Sequence, residues 1–311
     1  MSLTISVVVP VYGGADSLSL LCERVEQQLV PITKQFEIIF VDDRCPHDSW
    51  KEIERLKTKH PYVVGVRLSR NFGQHIAITA GLAQAKGDYV IVMDCDLQDP
   101  PEYIPAMYAK IQEGHDLVLA RRAKRSHSPF RLLAAKTYFY LLGVLTEERV
   151  DGSYGSLSML SRKVVNAFLE FSERERHYLF ILRWMGFTIG TIEYPHAERH
   201  SGQSSYTLRR LMRHAISGIF FQATVLLRGI VAVGLTFAAF GLLMAAYFIA
   251  QYFTSGAVEG WTSIVVLMLV CTGVILTSLG VIGLYIGKIF DQTKARPLYF
   301  IDQTLPRESV W

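Results

Sequence analysis

This chain is poor in charge: only 19% of its 311 residues are Asp, Glu, Lys or Arg, and residues 229–253 and 261–287 contain none at all. Cysteine is scarce too. The four, Cys22, Cys45, Cys95 and Cys271, show no metal-site spacing, which argues against a zinc or iron–sulfur centre. No basic n-region opens the chain, and the apolar stretch before Pro10 is too short for a signal peptide, so the start reads as the first strand of a folded domain. That domain is expected in the cytosol, where thiols stay reduced and disulfides are not expected. Internal repeats and low-complexity tracts are absent. The net charge of +4 is modest and its basic residues gather near the uncharged runs. An anionic lipid surface or a phosphate-bearing ligand accounts for them better than DNA, so no nucleic-acid partner is expected.

The two uncharged runs each exceed the roughly 20 residues that a helix needs to cross about 30 Å of hydrocarbon. The connection between them, residues 254–260, is short and carries only Glu259. This pattern predicts a transmembrane hairpin over residues 229–287. Arg209, Arg210, Arg213 and Arg228 precede it, Lys288, Lys294 and Arg296 follow it, and the connecting loop has no Lys or Arg. The positive-inside rule then places both termini in the cytoplasm. Residues 130–145 and 208–222 mix leucines and aromatics with basic residues, as an interfacial amphipathic helix does, although core packing explains the same pattern.

Residues 1–207 have a different character. Apolar, β-branched runs at 5–9, 36–41, 63–68 and 89–93 alternate with helix-like stretches at 15–30, 50–59 and 74–85. Strands without polar alternation, spaced by helices, predict a largely parallel, Rossmann-like α/β sheet covered on both faces. Ligands of such sheets bind beyond the carboxyl ends of the strands. Three segments stand there: Pro10 to Gly13, Asp42-Asp43-Arg44, and Asp94-Cys95-Asp96, with Asp99 close behind.

Two aspartates one residue apart at a strand end can aim oxygen ligands at one point, which suits Mg²⁺ or Mn²⁺ carrying substrate phosphates. Taken alone, the same pattern also fits a helix cap, Asp94 or Asp99, beside a solvated Asp96. Asp42 and Asp43 add a second acidic site suited to a base or ribose, or else form a turn.

Six ordered segments carry a resemblance: VVVPVYG at 7–13, FVDD at 40–43, LSRNFGQHIAITAGL at 68–82, GDYVIVMDCDLQDPPE at 87–102, HAERHSGQSSY at 196–206 and GLYIGKIFDQTKARPLYFI at 283–301. Together they resemble the family 2 inverting glycosyltransferases that charge polyisoprenyl phosphates, the group of dolichyl-phosphate mannose synthase and the undecaprenyl-phosphate glucosyl and aminoarabinose transferases. The resemblance implies a GT-A nucleotide-sugar domain over residues 1–207, juxtamembrane amphipathic helices around 208–228, the hairpin over 229–287 and a cytosolic tail over 288–311. It implies nucleotide contacts from Pro10, Tyr12, Asp42, Asp43, Gln74 and Asp94, and a Mg²⁺ or Mn²⁺ site on Asp94, Asp96 and Gln98. Arg122, Arg125, Arg199 and Ser204 fall where the lipid phosphate is expected, and a guanidinium fork suits a phosphate. The basic run 121–125 reads equally as a solvated loop or a membrane-surface patch. Asn71, Gly73 and His75 would line the crevice wall, although His75 reads as well as a capping or core residue. The expected partners are a nucleotide sugar, a UDP-sugar by preference, undecaprenyl phosphate, membrane lipid, further copies of the chain up to a tetramer, and a downstream flippase. The expected setting is a bacterial inner membrane.

The family pattern breaks in two places. Relatives carry an aspartate where alignment on Ser161-Arg162 puts Ser156, and Asp151 nearby is either a substitute for it or a turn residue. Relatives also carry lysine where Ser205 stands. The catalytic set expected from the sequence is therefore Asp96, Asp151 and Arg122. Two rival expectations stay open: transfer to a hydroxyl of an envelope glycan, which would need a base, and a scaffold that binds nucleotide sugar without transferring it.

Overall fold

The computed structural model describes residues 3–122, 154–174, 176–194 and 260–307, with isolated helical positions between 234 and 254. Strands β1 (Thr4–Val11), β2 (Gln35–Asp42), β3 (Val63–Leu68) and β4 (Tyr89–Val92) alternate with helices α1 (Ala15–Leu29), α2 (Ser49–Lys59) and α3 (Gln74–Gln84). These are the runs and helical stretches legible in the sequence. The chain continues through α4 (Ile104–Gln112), β5 (Leu117–Arg122), β6 (Tyr154–Ser161), α5 (Arg162–Glu170), α6 (Tyr178–Trp184), β7 (Ile189–Tyr194), the long helix α7 (Trp261–Thr293) and β8 (Ile301–Leu305).

One eight-stranded sheet runs in the order β7-β5-β6-β4-β1-β2-β3-β8. Its centre, β3-β2-β1-β4, is parallel, whereas β6 and β8 join antiparallel on either side. The central strands are buried on both faces, which is why they read as continuous apolar runs. One core layer packs β-strand residues such as Val7, Val9 and Phe40 against Leu18, Leu21, Ile53 and Met107 from α1, α2 and α4. The other packs Val8, Ile39 and Val90 against Ala77, Ile78, Val164 and Leu182 from α3, α5 and α6.

The chain divides into two compact units. The α/β unit comprises residues 1–128, 151–205 and 296–311; the other comprises 129–150 and 206–295. The strand β8, drawn from the C-terminal tail, completes the edge of the α/β sheet beside β3, and Arg44 ties to Asp302 at 2.5 Å. In the second unit, α7 carries a 24-residue segment, Val270–Thr293, with mean hydropathy 1.9 and none of its apolar window buried. Leu276, Leu279, Leu284 and Ile289 are all exposed along it, so apolar surface faces outward on several sides. Among the described residues this is the one helix long and apolar enough to cross a membrane. Most of the first expected span, 229–253, lies outside the described residues, as do the amphipathic stretches 130–145 and 208–228. Of the two arms expected for a hairpin, one is in view.

Candidate active site

The strands β1, β2 and β4 are parallel neighbours, with Val11 opposite Asp42 and Val8 opposite Val92, so the loops leaving them open on one edge of the sheet. Pro10 lies past the last residue of β1 that pairs with β4, where its missing N–H costs no ladder bond on that side. Tyr12 follows with its ring 58% exposed. Gly13 and Gly14 then take φ of +92° and +70°, the left-handed region that lets the chain turn at once into α1. The buried Ser17 hydroxyl locks this turn to the acidic loop, lying 2.7 Å from Gly14 O and 2.6 Å from Cys95 O.

The Asp42-Asp43 pair at the end of β2 divides its work. Asp43 accepts the backbone N–H groups of Phe72 at 2.7 Å and Gly73 at 2.8 Å, one on each carboxylate oxygen. Both of its oxygens therefore hold the loop that delivers Gln74 and α3. Asp42 accepts the Cys45 N–H at 3.0 Å through Oδ1, while Oδ2 is buried without a hydrogen-bond partner, 3.4 Å from Arg67 Nε. Burial raises the pKa of both carboxyls, against the pull of these N–H donors.

Beyond β4 the backbone leaves the pleat, and Leu97 is held at φ +59°, unusual for a branched side chain and a mark of a constrained turn. Asp96 Oδ1 accepts the Gln98 N–H at 3.1 Å. Asp94 Oδ1 accepts Gln74 Nε2 at 2.6 Å, and the same amide nitrogen lies 3.3 Å from Ser156 Oγ. Burial, helped by the negative charge of Asp99 and Asp96, pushes the Asp94 carboxyl up to about 7, while the Ser156 hydroxyl and Arg122 oppose the shift. The Cys95 thiol is pushed up to about 12 by burial and the flanking carboxylates, so it stays protonated at neutral pH.

Asp99 is fully buried and is not a helix cap: neither the short 3₁₀ turn Pro101–Tyr103 nor α4 receives a side-chain cap bond. Instead it accepts Arg122 Nη2 at 3.0 Å and the Tyr194 hydroxyl at 2.6 Å. Arg122, at the end of β5, is thereby delivered to the acidic centre. His75 stacks on His177 with ring centroids 4.6 Å apart and takes the Tyr178 N–H through Nδ1 at 3.5 Å. It belongs to the wall between α3 and α6.

Pro10, Tyr12, Asp42, Asp43, Gln74, Asp94, Asp96, Gln98 and Arg122 are thus drawn from one end of the sheet. Asp151, Arg125, Arg199 and Ser204 lie outside the described residues. Ser17, Asp99 and Tyr194 join the set without having been singled out for it, because each acts through partners 23 to 95 residues away. No three His, Cys, Asp or Glu side chains among the described residues form a ready-made metal cage. A Mg²⁺ or Mn²⁺ ion needs none when one or two carboxylates and the substrate phosphates hold it. Asp94 and Asp96 supply hard oxygens, and the crowding of like charge that raises Asp94 is what a cation would relieve, so the donor set fits.

Known proteins are similar to this chain over nearly its whole length. The model of "Glycosyl transferase family 2" matches residues 6–169. The undecaprenyl-phosphate 4-deoxy-4-formamido-L-arabinose transferase of Proteus mirabilis is 34% identical over 97% of this chain and 94% of its own. The bactoprenol glucosyl transferase of Shigella phage SfV is 35% identical over 96% of this chain and 97% of its own. An uncharacterized glycosyltransferase of Synechocystis is 34% identical over 97% of this chain and 95% of its own. With its strand-end carboxylates inside the matched segment and its relatives aligned from end to end, this chain belongs to glycosyl transferase family 2.

Proposed function

We propose that the protein transfers a sugar from a nucleoside-diphosphate sugar, a UDP-sugar by preference, to undecaprenyl phosphate, with inversion at the anomeric carbon. The observation that carries this is the end-to-end similarity to two relatives whose names give different sugars and the same class of lipid carrier. Ser156 supports it: a hydroxyl engaged with Gln74 and Asp94 stands where a base would be useful, and a hydroxyl is no general base. A phosphate acceptor is already ionised at neutral pH and attacks without one.

In this reading Tyr12 and Asp42 border the nucleoside, and Asp43 fixes the loop that carries Gln74. A divalent ion on Asp94 and Asp96 would supply positive charge to the nucleoside diphosphate as it leaves. Gln74 orients Asp94 for that purpose. Arg122 meets the acceptor phosphate, whose oxygen forms the new bond to the anomeric carbon as the bond to the diphosphate oxygen breaks. Positioning contributes the larger share of the rate, since both reactants arrive with the charges they need. The exposed apolar helix α7 and the basic residues flanking residues 229–287 fit a protein of the bacterial inner membrane with the α/β unit on the cytoplasmic side.

The test offers purified protein, Mn²⁺ and undecaprenyl phosphate to a panel of radiolabelled UDP-, GDP- and dTDP-sugars, followed by extraction into organic solvent. Label in the organic phase with one donor confirms the reaction and names the sugar. Label that stays aqueous with every donor contradicts it.

A further inference from the structure

Arg122, Asp99 and Tyr194 close a ring of hydrogen bonds. Asp99 Oδ1 takes Arg122 Nη2 at 3.0 Å and the Tyr194 hydroxyl at 2.6 Å, and Arg122 Nε donates to the same hydroxyl oxygen at 3.0 Å. The three residues come from the end of β5, the turn after β4 and the end of β7, so no local sequence constraint brings them together. The Tyr194 side chain is itself buried and packs on Tyr103, with ring centroids 5.8 Å apart. Beneath the guanidinium lies Gly155 of β6, where a Cβ would fall 2.9, 3.0 and 3.1 Å from Nη2, Nε and Cζ. The guanidinium rests on bare backbone. An arginine has five N–H donors in a rigid fork, and the ring engages one on Nε and one on Nη2. Among the described residues no other partner engages the remaining N–H groups, which suits them to a ligand.

Resting on the transferase reading above, we infer that Asp99 and Tyr194 are positioning residues for Arg122, and that together with the Gly155 seat they hold its guanidinium for a phosphate oxygen of the acceptor. A surface arginine would have to lose several rotatable bonds' worth of freedom on meeting each acceptor; this one has lost it on folding. Asp99 and Tyr194 touch no substrate. Both are buried, and they reach the acceptor through Arg122.

The experiment measures transfer from the labelled UDP-sugar that the panel identifies to undecaprenyl phosphate, in Mn²⁺, for Tyr194→Phe, Gly155→Ala, Arg122→Ala and the double variant Tyr194→Phe/Arg122→Ala. Tyr194→Phe keeps the ring packing and removes one hydroxyl; Gly155→Ala keeps every hydrogen-bonding group and displaces the guanidinium. Both should lower kcat/KM for undecaprenyl phosphate about tenfold or more while leaving UDP affinity within about twofold, and the double variant should be no worse than Arg122→Ala alone. Losses that multiply in the double variant, or that fall on UDP affinity or melting temperature alone, overturn the inference. If wild-type protein makes no lipid product with any donor, the transferase reading fails instead. Positioning is then judged by binding to vesicles doped with undecaprenyl phosphate: Tyr194→Phe should bind as weakly as Arg122→Ala, and wild-type binding by Tyr194→Phe overturns it.

Discussion

Asp94 is folded into surroundings that oppose its charge, and this sets a sign for how the metal-free protein responds to pH. Its carboxyl sits at about 7 in the folded chain against 3.8 as the reference, raised first by burial and then by Asp99 and Asp96. Between those values the native state holds a proton that the unfolded chain has released. Stability therefore falls as pH rises across that window. Thermal melts of metal-free protein should show the melting temperature dropping by several degrees from pH 5.5 to pH 8, and Asp94→Asn should flatten the slope. Adding Mn²⁺ should restore stability at pH 8 far more than at pH 5.5, because the metal binds the ionised form. A wild-type slope retained in Asp94→Asn would assign the effect elsewhere. Asp43 makes a different prediction: Asp43→Ala leaves the Phe72 and Gly73 N–H groups without their acceptor, at about 1 to 3 kcal/mol each if they stay buried. Denaturant unfolding should register it, and donor turnover should fall with it through the displaced Gln74. At this scale the acidic turn was legible because Asp94, Asp96 and Asp99 lie within six residues of one another. The partner of Asp99 was not, since Arg122 is 23 positions on and Tyr194 is 95 away, and only the closed sheet joins them.

Among the elements, α3 is packed hardest against the sheet. A Cβ on Gly81 would run into Val8 Cγ1 and lie 3.0 Å from Val41 Cγ2. In an exposed helix Gly→Ala is worth about 0.5 to 1 kcal/mol of added stability, whereas overpacking a core costs about 1 to 3 kcal/mol. Gly81→Ala should thus destabilise, and a raised melting temperature would show that α3 can lift off without loss. The strands β1 to β4 were readable because burial on both faces demands unbroken apolar runs. No such demand falls on β8: its residues Ile301 to Gln303 are exposed, and it becomes a strand only because β3 offers an open edge. The additions β5, β6 and β7 were equally unmarked, the antiparallel β6 pairing with β4 and β5 through residues far apart in sequence. Removing residues 296–311 should uncover the β3 edge and the Gly65 notch filled by Leu305, lowering solubility and melting temperature together.

On the scale of the whole molecule, the proposed function puts one polypeptide in two solvents. The long apolar helix α7 exposes a surface suited to hydrocarbon, whereas β8, which begins eight residues after its end, belongs to the α/β unit with the strand-end carboxylates. The proposed membrane topology can be read by labelling. In intact cells an impermeant maleimide should reach Ala257→Cys in the short loop and miss Thr304→Cys; labelling of Thr304→Cys would reverse the orientation. The alternating runs made the α/β sheet visible in the sequence, and the second charge gap made the long apolar helix α7 visible. The identity of the sugar rests on loop geometry, which composition does not encode.

The most direct test of the central claim compares two acceptors that differ by one group: undecaprenyl phosphate and undecaprenol, each offered with Mn²⁺ and the labelled donor to wild-type protein and to Asp96→Ala. The proposed reaction gives organic-phase label from wild-type protein with the phosphate only, and loses about a hundredfold or more of its rate in Asp96→Ala at unchanged melting temperature. Equal transfer to the alcohol, or full activity without the Asp96 carboxylate, would contradict it.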